Sequence, residues 1–382
     1  MNNKRYKIKE TIDIFISEND DDESVILTFH VMTTRDRIQI KTNRDVATFI
    51  ASLDGEKNIN DINDSMGGVS ETDIRNLINF LNNHRLIYDT KEQENINKRF
   101  SRQITFWDDF VLNRSGNDTQ CILENKKIVL FGCGSVGARI VETLVRSGVK
   151  NITLIDYKIV EWSNSIRHSF FNVENIGKPK VEALSNFLKK INKEIKITTH
   201  FGKLIPDSDL SKFIPEETDL IINTCDEPYI GHTSLKIGRY AQFKKIPLYI
   251  SGGFDAHLMS SGELINPPHT PCIDCVQKTF SNALKNWKPI YNTPMINVSD
   301  TDTDTDTDTD KIYFEDYIQG GPGGLALMSG FSANLSCMQL LHFLLDDSAF
   351  EYNSNRFEYL PNSGTMTSFE LNKQNNCGIC NE

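Results

Sequence analysis

The sequence predicts an α/β chain, with a Rossmann-like, mostly parallel sheet and an antiparallel extension, preceded by a small winged-helix-like domain. Three observations predict it. From residue 126 onward, short apolar runs alternate with segments of helical period. The loop Gly132-Cys133-Gly134-Ser135-Val136-Gly137 closes one such run and opens a helical one. Two Cys-x-x-Cys pairs, Cys272/Cys275 and Cys377/Cys380, stand far apart in the chain and match in spacing.

In order along the chain, residues 6–16 and 24–32 alternate apolar and polar and read as strands. Three short helices follow. The first covers 46–54. The second, 58–66, carries Ile59, Ile62 and Met66 on one face. The third, 71–82, has Ile74, Leu77, Ile78 and Leu81 at helical spacing. Ile87 and Tyr88 begin a last strand. Residues 1–90 thus form the winged-helix-like domain, and the charged stretch 91–98 is a linker to a second domain over 99–382. There, 127–131, 151–156, 219–223 and 246–250 are strand cores, and 135–147 and 178–190 are helices. Residues 256–265 and 357–371 alternate and supply the antiparallel extension. The apolar stretch 323–345 is interrupted by Ser329, Ser332, Asn334 and Ser336, so it reads as a buried helix rather than a membrane span. The Thr-Asp repeat within 295–312 is too densely charged to pack and reads as a mobile acidic loop.

Composition narrows the function. The 382 residues suffice for two domains with a large core, and 38% of them are hydrophobic. The net charge of −11 excludes a nucleic-acid binder, which shows clustered base. No apolar stretch follows the charged start, so it is not a signal peptide. Eight cysteines, four of them in the paired motif, indicate a metal rather than a disulfide framework, and with it a reducing cytoplasm.

The glycine loop places free N–H groups of a helix start where a phosphate binds. Asp156 ends the next strand about 20 residues on, where a carboxylate reaches ribose hydroxyls. These features alone fit NAD as well as ATP. The added residues separate the two. Asn164 and Arg167 lie just past the second strand, Lys180 opens the next helix, and Asp226 follows the strand 219–223. Cations converging on a phosphate site suit attack on a triphosphate, whose leaving group gathers negative charge. A carboxylate beside it suits magnesium. Four thiolates in two matched pairs suit closed tetrahedral zinc in a structural role. The other cysteines, Cys121, Cys133, Cys225 and Cys337, stand outside these pairs, and none of them lies between Glu227 and Asp310.

On these residues the stretch 99–382 resembles the ThiF/MoeB superfamily, the ubiquitin-activating-enzyme-like adenylating enzymes. The resemblance implies ATP, Mg2+ and structural Zn2+. It implies roles for Arg102, Arg167 and Lys180 on the phosphates, Asp156 on ribose and Asp226 on magnesium. It also implies a homodimer in which Arg102 acts across the subunit boundary. Two positions depart from the superfamily's pattern: Lys158 where aspartate is common and His168 where glutamine is common. The front segment Leu53-Asp54-Gly55, with Ile59, Ile62, Ile74, Leu77, Phe80, Leu81 and Leu86-Ile87, resembles the PqqD-like domains that bind leader peptides by strand addition. The two parts together are similar to the microcin-type, MccB-like peptide-adenylating enzymes. That likeness implies adenylylation of a precursor peptide's C-terminal carboxylate. An activator of a ubiquitin-like sulfur carrier and a non-catalytic leader-binding partner of a cyclodehydratase are the alternatives.

Overall fold

The computed structural model describes residues 4–18, 24–66, 70–90, 97–111, 114–227, 230–252, 254–255, 258–283, 324–345 and 354–380. The expected acidic loop at 295–312 and residues 91–96 of the expected linker lie outside the described residues. The chain divides into two compact units, Met1–Asn117 and Asp118–Glu382.

In the first unit, β1 (Tyr6–Ile8) and β2 (Ile12–Glu18) stand where one strand was expected. The break has a local cause. The Lys9 ammonium pairs with Asp109 at 2.9 Å and donates to the Asp108 carbonyl at 2.9 Å, with little of either charged side chain exposed. A buried charge must be partnered, so the chain turns at Lys9 and lets β2 leave in a new direction. β2, β3 (Val25–Val31) and β4 (Arg37–Thr42) form an antiparallel meander, and α1 (Arg44–Ala51), α2 (Ile59–Met66) and α3 (Glu71–Asn83) follow. Side-chain oxygens of Asn43 and Ser70 cap α1 and α3. The chain then closes with β5 (Ile87–Asp89) against β1. Phe29, Phe49, Ile62, Ile78 and Leu81 are buried in one core. The helix α4 (Ser101–Phe110), which begins just past the expected boundary at 98–99, belongs to this unit.

Helix α5 (Gly116–Asn125) leads into the main sheet. Its strands are β6 (Lys127–Phe131), β7 (Asn151–Asp156), β8 (Lys196–Phe201), β9 (Leu220–Asn223) and β10 (Leu248–Ile250). Three helices connect them: α6 (Ser135–Arg146), α7 (Lys180–Ile191) and α8 (Ile230–Lys244). Among the described residues the sheet order is β13-β10-β9-β6-β7-β8, with β13 (Glu263–Ile265) antiparallel to β10 and the other neighbours parallel. The first strand therefore sits in the middle. The chain winds outward through β7 and β8, then returns to the other side for β9 and β10. That reversal opens a crevice between the carboxyl ends of β6 and β9.

Parallel strands covered on both faces read as continuous apolar runs, as the fully buried β9 does. Val129, Phe131 and Ile221 pack with Ile237 and Ala241 of α8 and with Ile273 and Val276 of α9 (Ile273–Ala283). Helix α10 (Ala326–Leu344) lies along α6, where its Cys337 thiol donates to the Ile140 carbonyl at 3.6 Å, and its Ser329, Ser332, Ala333 and Ser336 are buried. Among the described residues no helix is long and apolar enough to cross a membrane. β11 (Phe254–Asp255), β12 (Leu258–Ser260), β14 (Asn355–Leu360) and β15 (Thr365–Glu370) make a separate antiparallel sheet, the expected extension.

Candidate active site

The glycine loop takes its shape from two close approaches and one open space. Gly132 has φ of +92°, a conformation that favours glycine, and a side chain there would meet Thr224. A Cβ at Gly137 would lie 2.2 Å from the Gly132 carbonyl oxygen, so the first turn of α6 closes onto the loop only without one. A Cβ at Gly134 would meet nothing within 4 Å. That open space lies at the N-terminus of α6, where the helix N–H groups are unsatisfied.

Asp156, buried at the end of β7, fixes this loop. Its Oδ2 accepts from the Cys133 N–H at 2.6 Å and its Oδ1 from the Lys158 N–H at 2.7 Å. The crossover that follows folds back on itself. Val160 N–H donates to the Lys178 carbonyl at 2.8 Å, and Lys180 N–H donates to the Lys158 carbonyl at 2.9 Å. Gly177, with φ of +81°, makes the reverse turn. These bonds bring Lys180, the first residue of α7, to the crevice with only 7% of its surface exposed. Burial pulls its ammonium below the ordinary lysine value, opposed by the charge of Asp156. Asn164 is buried in a short 3-10 turn, Trp162–Ile166, where its Oδ1 accepts from the Glu161 N–H at 3.0 Å. Arg167 ends that turn. His168 follows. Its Nδ1 donates to the Asn164 carbonyl at 3.2 Å, while its buried Nε2 has no partner among the described residues. Burial, aided by Lys180, drives its pKa down to about 4, so the ring is neutral.

On the other side of the crevice, Thr224 Oγ1 donates to the Gly132 carbonyl at 2.8 Å, locking the end of β9 to the glycine loop. Asn223, fully buried, donates to Thr233 Oγ1 at 3.1 Å and Ser234 Oγ at 3.0 Å at the start of α8. Asp226 is exposed on the cavity wall. Glu227 is engaged by Tyr157 Oη and Lys158 Nζ. Burial would raise the Glu227 pKa, but these two bonds outweigh it and hold the carboxylate ionised. Burial pushes the Cys225 thiol up to about 12, with Asp156 and Asp226 adding to it, and burial raises Cys133 as well. Neither is a ready thiolate.

A cavity of about 660 Å³ lies at the switch point of the sheet, and Tyr157, Lys158, His168, Thr224 and Glu227 are among the residues that line it. Gly132, Gly134, Gly137, Asp156, Asn164, Arg167, Lys180 and Asp226, picked out from the sequence, all line it. Arg102 is carried on α4 in the first unit, where it is exposed. Thr224, Tyr157 and Glu227 were not picked out, because no spacing shows that the ends of β6, β7 and β9 meet. The four knuckle cysteines also converge. Cys272 Sγ lies 3.6 Å from Cys377 Sγ, and Cys275 Sγ lies 3.5 Å from Cys380 Sγ. All four sulfurs fall within 4.8 Å of one another. A tetrahedral zinc with bonds of about 2.3 Å sets its sulfurs about 3.8 Å apart, so the set fits that ion.

The sequence profile of the ThiF family matches residues 100–379. The chain belongs to the ThiF family. With that membership it is an enzyme of the ThiF/MoeB adenylyltransferase type. The molybdopterin-synthase adenylyltransferase of Escherichia coli K12 is 30% identical over 204 residues, which cover 52% of this chain and 76% of that protein. The SUMO-activating enzyme subunit 2 of Dictyostelium discoideum is 26% identical over 165 residues, which cover 43% of this chain and 24% of that longer protein. Among solved structures, E. coli MccB with ATP superimposes with a TM-score of 0.69 at 18% identity, over 98% of this chain and 99% of that one. MccB with AMPCPP and MccA gives 0.68, and PaaA gives 0.66 at 19% identity over 94% of this chain and 99% of that one.

Proposed function

We propose that this ThiF-family enzyme is an ATP-dependent adenylyltransferase that activates the C-terminal carboxylate of a ribosomally made precursor peptide, within peptide natural-product biosynthesis of the bacteriocin or microcin type. One observation carries the choice of a peptide. The likeness to MccB, a protein solved with ATP and with MccA, extends over 98% of this chain, whereas the ThiF profile begins only at residue 100 and leaves out most of the front unit.

On this reading the α6 N-terminus and the space over Gly134 receive phosphate, flanked by Gly132, Gly137 and Asn164, and Asp156 accepts from ribose hydroxyls. An oxygen of the peptide carboxylate attacks the α-phosphorus, the bond to the β-phosphate oxygen breaks, and pyrophosphate leaves. The carboxylate is ionised at neutral pH, its pKa near ~3.5, so no general base is required. Arg167 and Lys180, with Arg102 from a second copy in a homodimer, neutralise the charge gathering on the leaving group. Asp226 fits Mg2+, which takes one or two protein carboxylates and fills its remaining positions with water and phosphate oxygens. When bound, the ion supplies further neutralisation of the phosphates. The front unit holds the leader of the peptide by strand addition.

The relative at 30% identity supports a second reading in which the carboxylate belongs to a ubiquitin-like sulfur carrier. Exchange of labelled pyrophosphate into ATP separates the two. We expect exchange with a full-length precursor peptide, weak exchange with its leaderless form, and none after Asp226→Ala in a protein that still melts normally. Exchange driven instead by a Gly-Gly-ended carrier selects the second reading, and an unchanged rate in D226A removes Asp226 from the mechanism.

A further inference from the structure

The cavity wall is held by a ring of bonds that runs through one residue. Lys158 donates its N–H to Asp156 and accepts the Lys180 N–H on its carbonyl, and its ammonium reaches across to Glu227. Tyr157 takes the other Glu227 oxygen. Beyond Glu227 the chain returns through Asp226 to Thr224, which bonds back to the glycine loop, and Asp156 bonds that loop from the far side. Three crevice loops, after β6, β7 and β9, are thereby joined. Lys158 and Glu227 are 39% and 45% exposed, so neither is needed to fill a core. An aspartate at 158, as the superfamily resemblance predicts, would instead face Glu227 with like charge. Glu227 also sits directly beside the exposed Asp226. With both of its oxygens occupied, it is withheld from a cation that Asp226 is open to take.

We propose that Lys158, Glu227 and Tyr157 form a strut across the mouth of the nucleotide cavity, with Lys158 and Glu227 as positioning residues that hold Asp226 in place and keep a second carboxylate from the divalent cation. The inference rests on the nucleotide reading above and deepens it. Removing the Lys158 ammonium frees one Glu227 oxygen beside Asp226 while Tyr157 keeps the other, which strengthens cation binding but displaces the cation from the geometry that the phosphates require.

The test uses the full-length protein and ATP–pyrophosphate exchange titrated with Mg2+, on wild type, K158M, E227Q and the exchanged pair K158E/E227K. We expect K158M to lower kcat about tenfold or more while reducing the Mg2+ concentration for half-maximal rate several-fold. E227Q should lower kcat without that shift in Mg2+ demand, because it adds no carboxylate. The exchanged pair should recover most of the kcat lost in K158M. Melting temperatures of the unliganded variants should match wild type, since the pair is half exposed. Wild-type kcat and Mg2+ dependence in both single variants would overturn the strut. So would equal Mg2+ shifts in K158M and E227Q, or an exchanged pair no better than K158M. Absence of exchange in the wild type itself counts against the nucleotide reading and is scored separately by ATP binding.

Discussion

His168 has one ring nitrogen satisfied and the other buried with none, beside the Lys180 ammonium. Protonation there has no acceptor to receive it and a cation to oppose it. The ring is therefore neutral in the folded chain down to about 4, whereas in the unfolded chain it titrates near the usual 6.5. Between those values the unfolded state binds more protons. The stability that neutral His168 contributes is complete above the unfolded value and is lost as pH falls through 6.5 toward 4, by at most about 3 kcal/mol. We expect the melting temperature to drop across that window, and His168→Gln to flatten the drop. An identical slope in the variant would show that other groups carry it. Residues of this kind were legible only as types. The sequence marks His168 as a departure, but only the fold supplies the Asn164 carbonyl and the Lys180 ammonium that fix its state.

Among the elements, the β6–loop–α6 unit was legible nearly residue for residue. Apolar strand, glycine loop and amphipathic helix each leave their own pattern. Its two inner glycines do different work. Gly137→Ala forces a Cβ onto the Gly132 carbonyl and should cost roughly 1–3 kcal/mol of stability. Gly134→Ala meets no protein atom, so melting should be unchanged while the nucleotide KM rises about tenfold from the methyl group's intrusion on the phosphate. Thermal melts and nucleotide titrations on both variants check the contrast, and a destabilised G134A would refute it. Among the elements that escaped notice, β4, β8 and α8 share a cause. β4 and β8 carry charged and threonine residues and are largely exposed, every second residue in β4 and four of six in β8, so they lack a strong apolar signal. Their partners β3 and β7 hold them in place. The missed α8 is weakly amphipathic, and its burial is decided by the sheet face it covers.

At the scale of the molecule, the cysteine set joins distant parts of the second unit. Cys272 and Cys275 lie at the start of α9, and Cys377 and Cys380 lie in the tail after β15. Besides the sulfur contacts, the tail is held by the Gln374 N–H on Cys275 Sγ at 3.3 Å and by the Asn372 carbonyl near Thr279. We expect one zinc per chain by metal analysis. Removing it with a chelator, or making Cys377→Ser, should lower the melting temperature by about 5 °C or more, while the nucleotide affinity of the folded protein stays within about twofold. A metal-free preparation with unchanged melting would contradict a structural ion.

Sequence patterns sufficed for the fold class, the glycine loop, the cations and carboxylates that line the cavity, and the paired cysteines that converge. Each depends on local rules: apolar period, glycine where no Cβ fits, and thiols at fixed spacing. The tertiary structure alone decided which loop ends meet. Bringing β9 beside β6 places Thr224 on the glycine loop, joins Lys158 to Glu227, and leaves Asp226 as the open carboxylate of an adjacent pair. Hydrogen bonds and ion pairs act over a few ångströms in space, and separation along the chain carries no record of that distance.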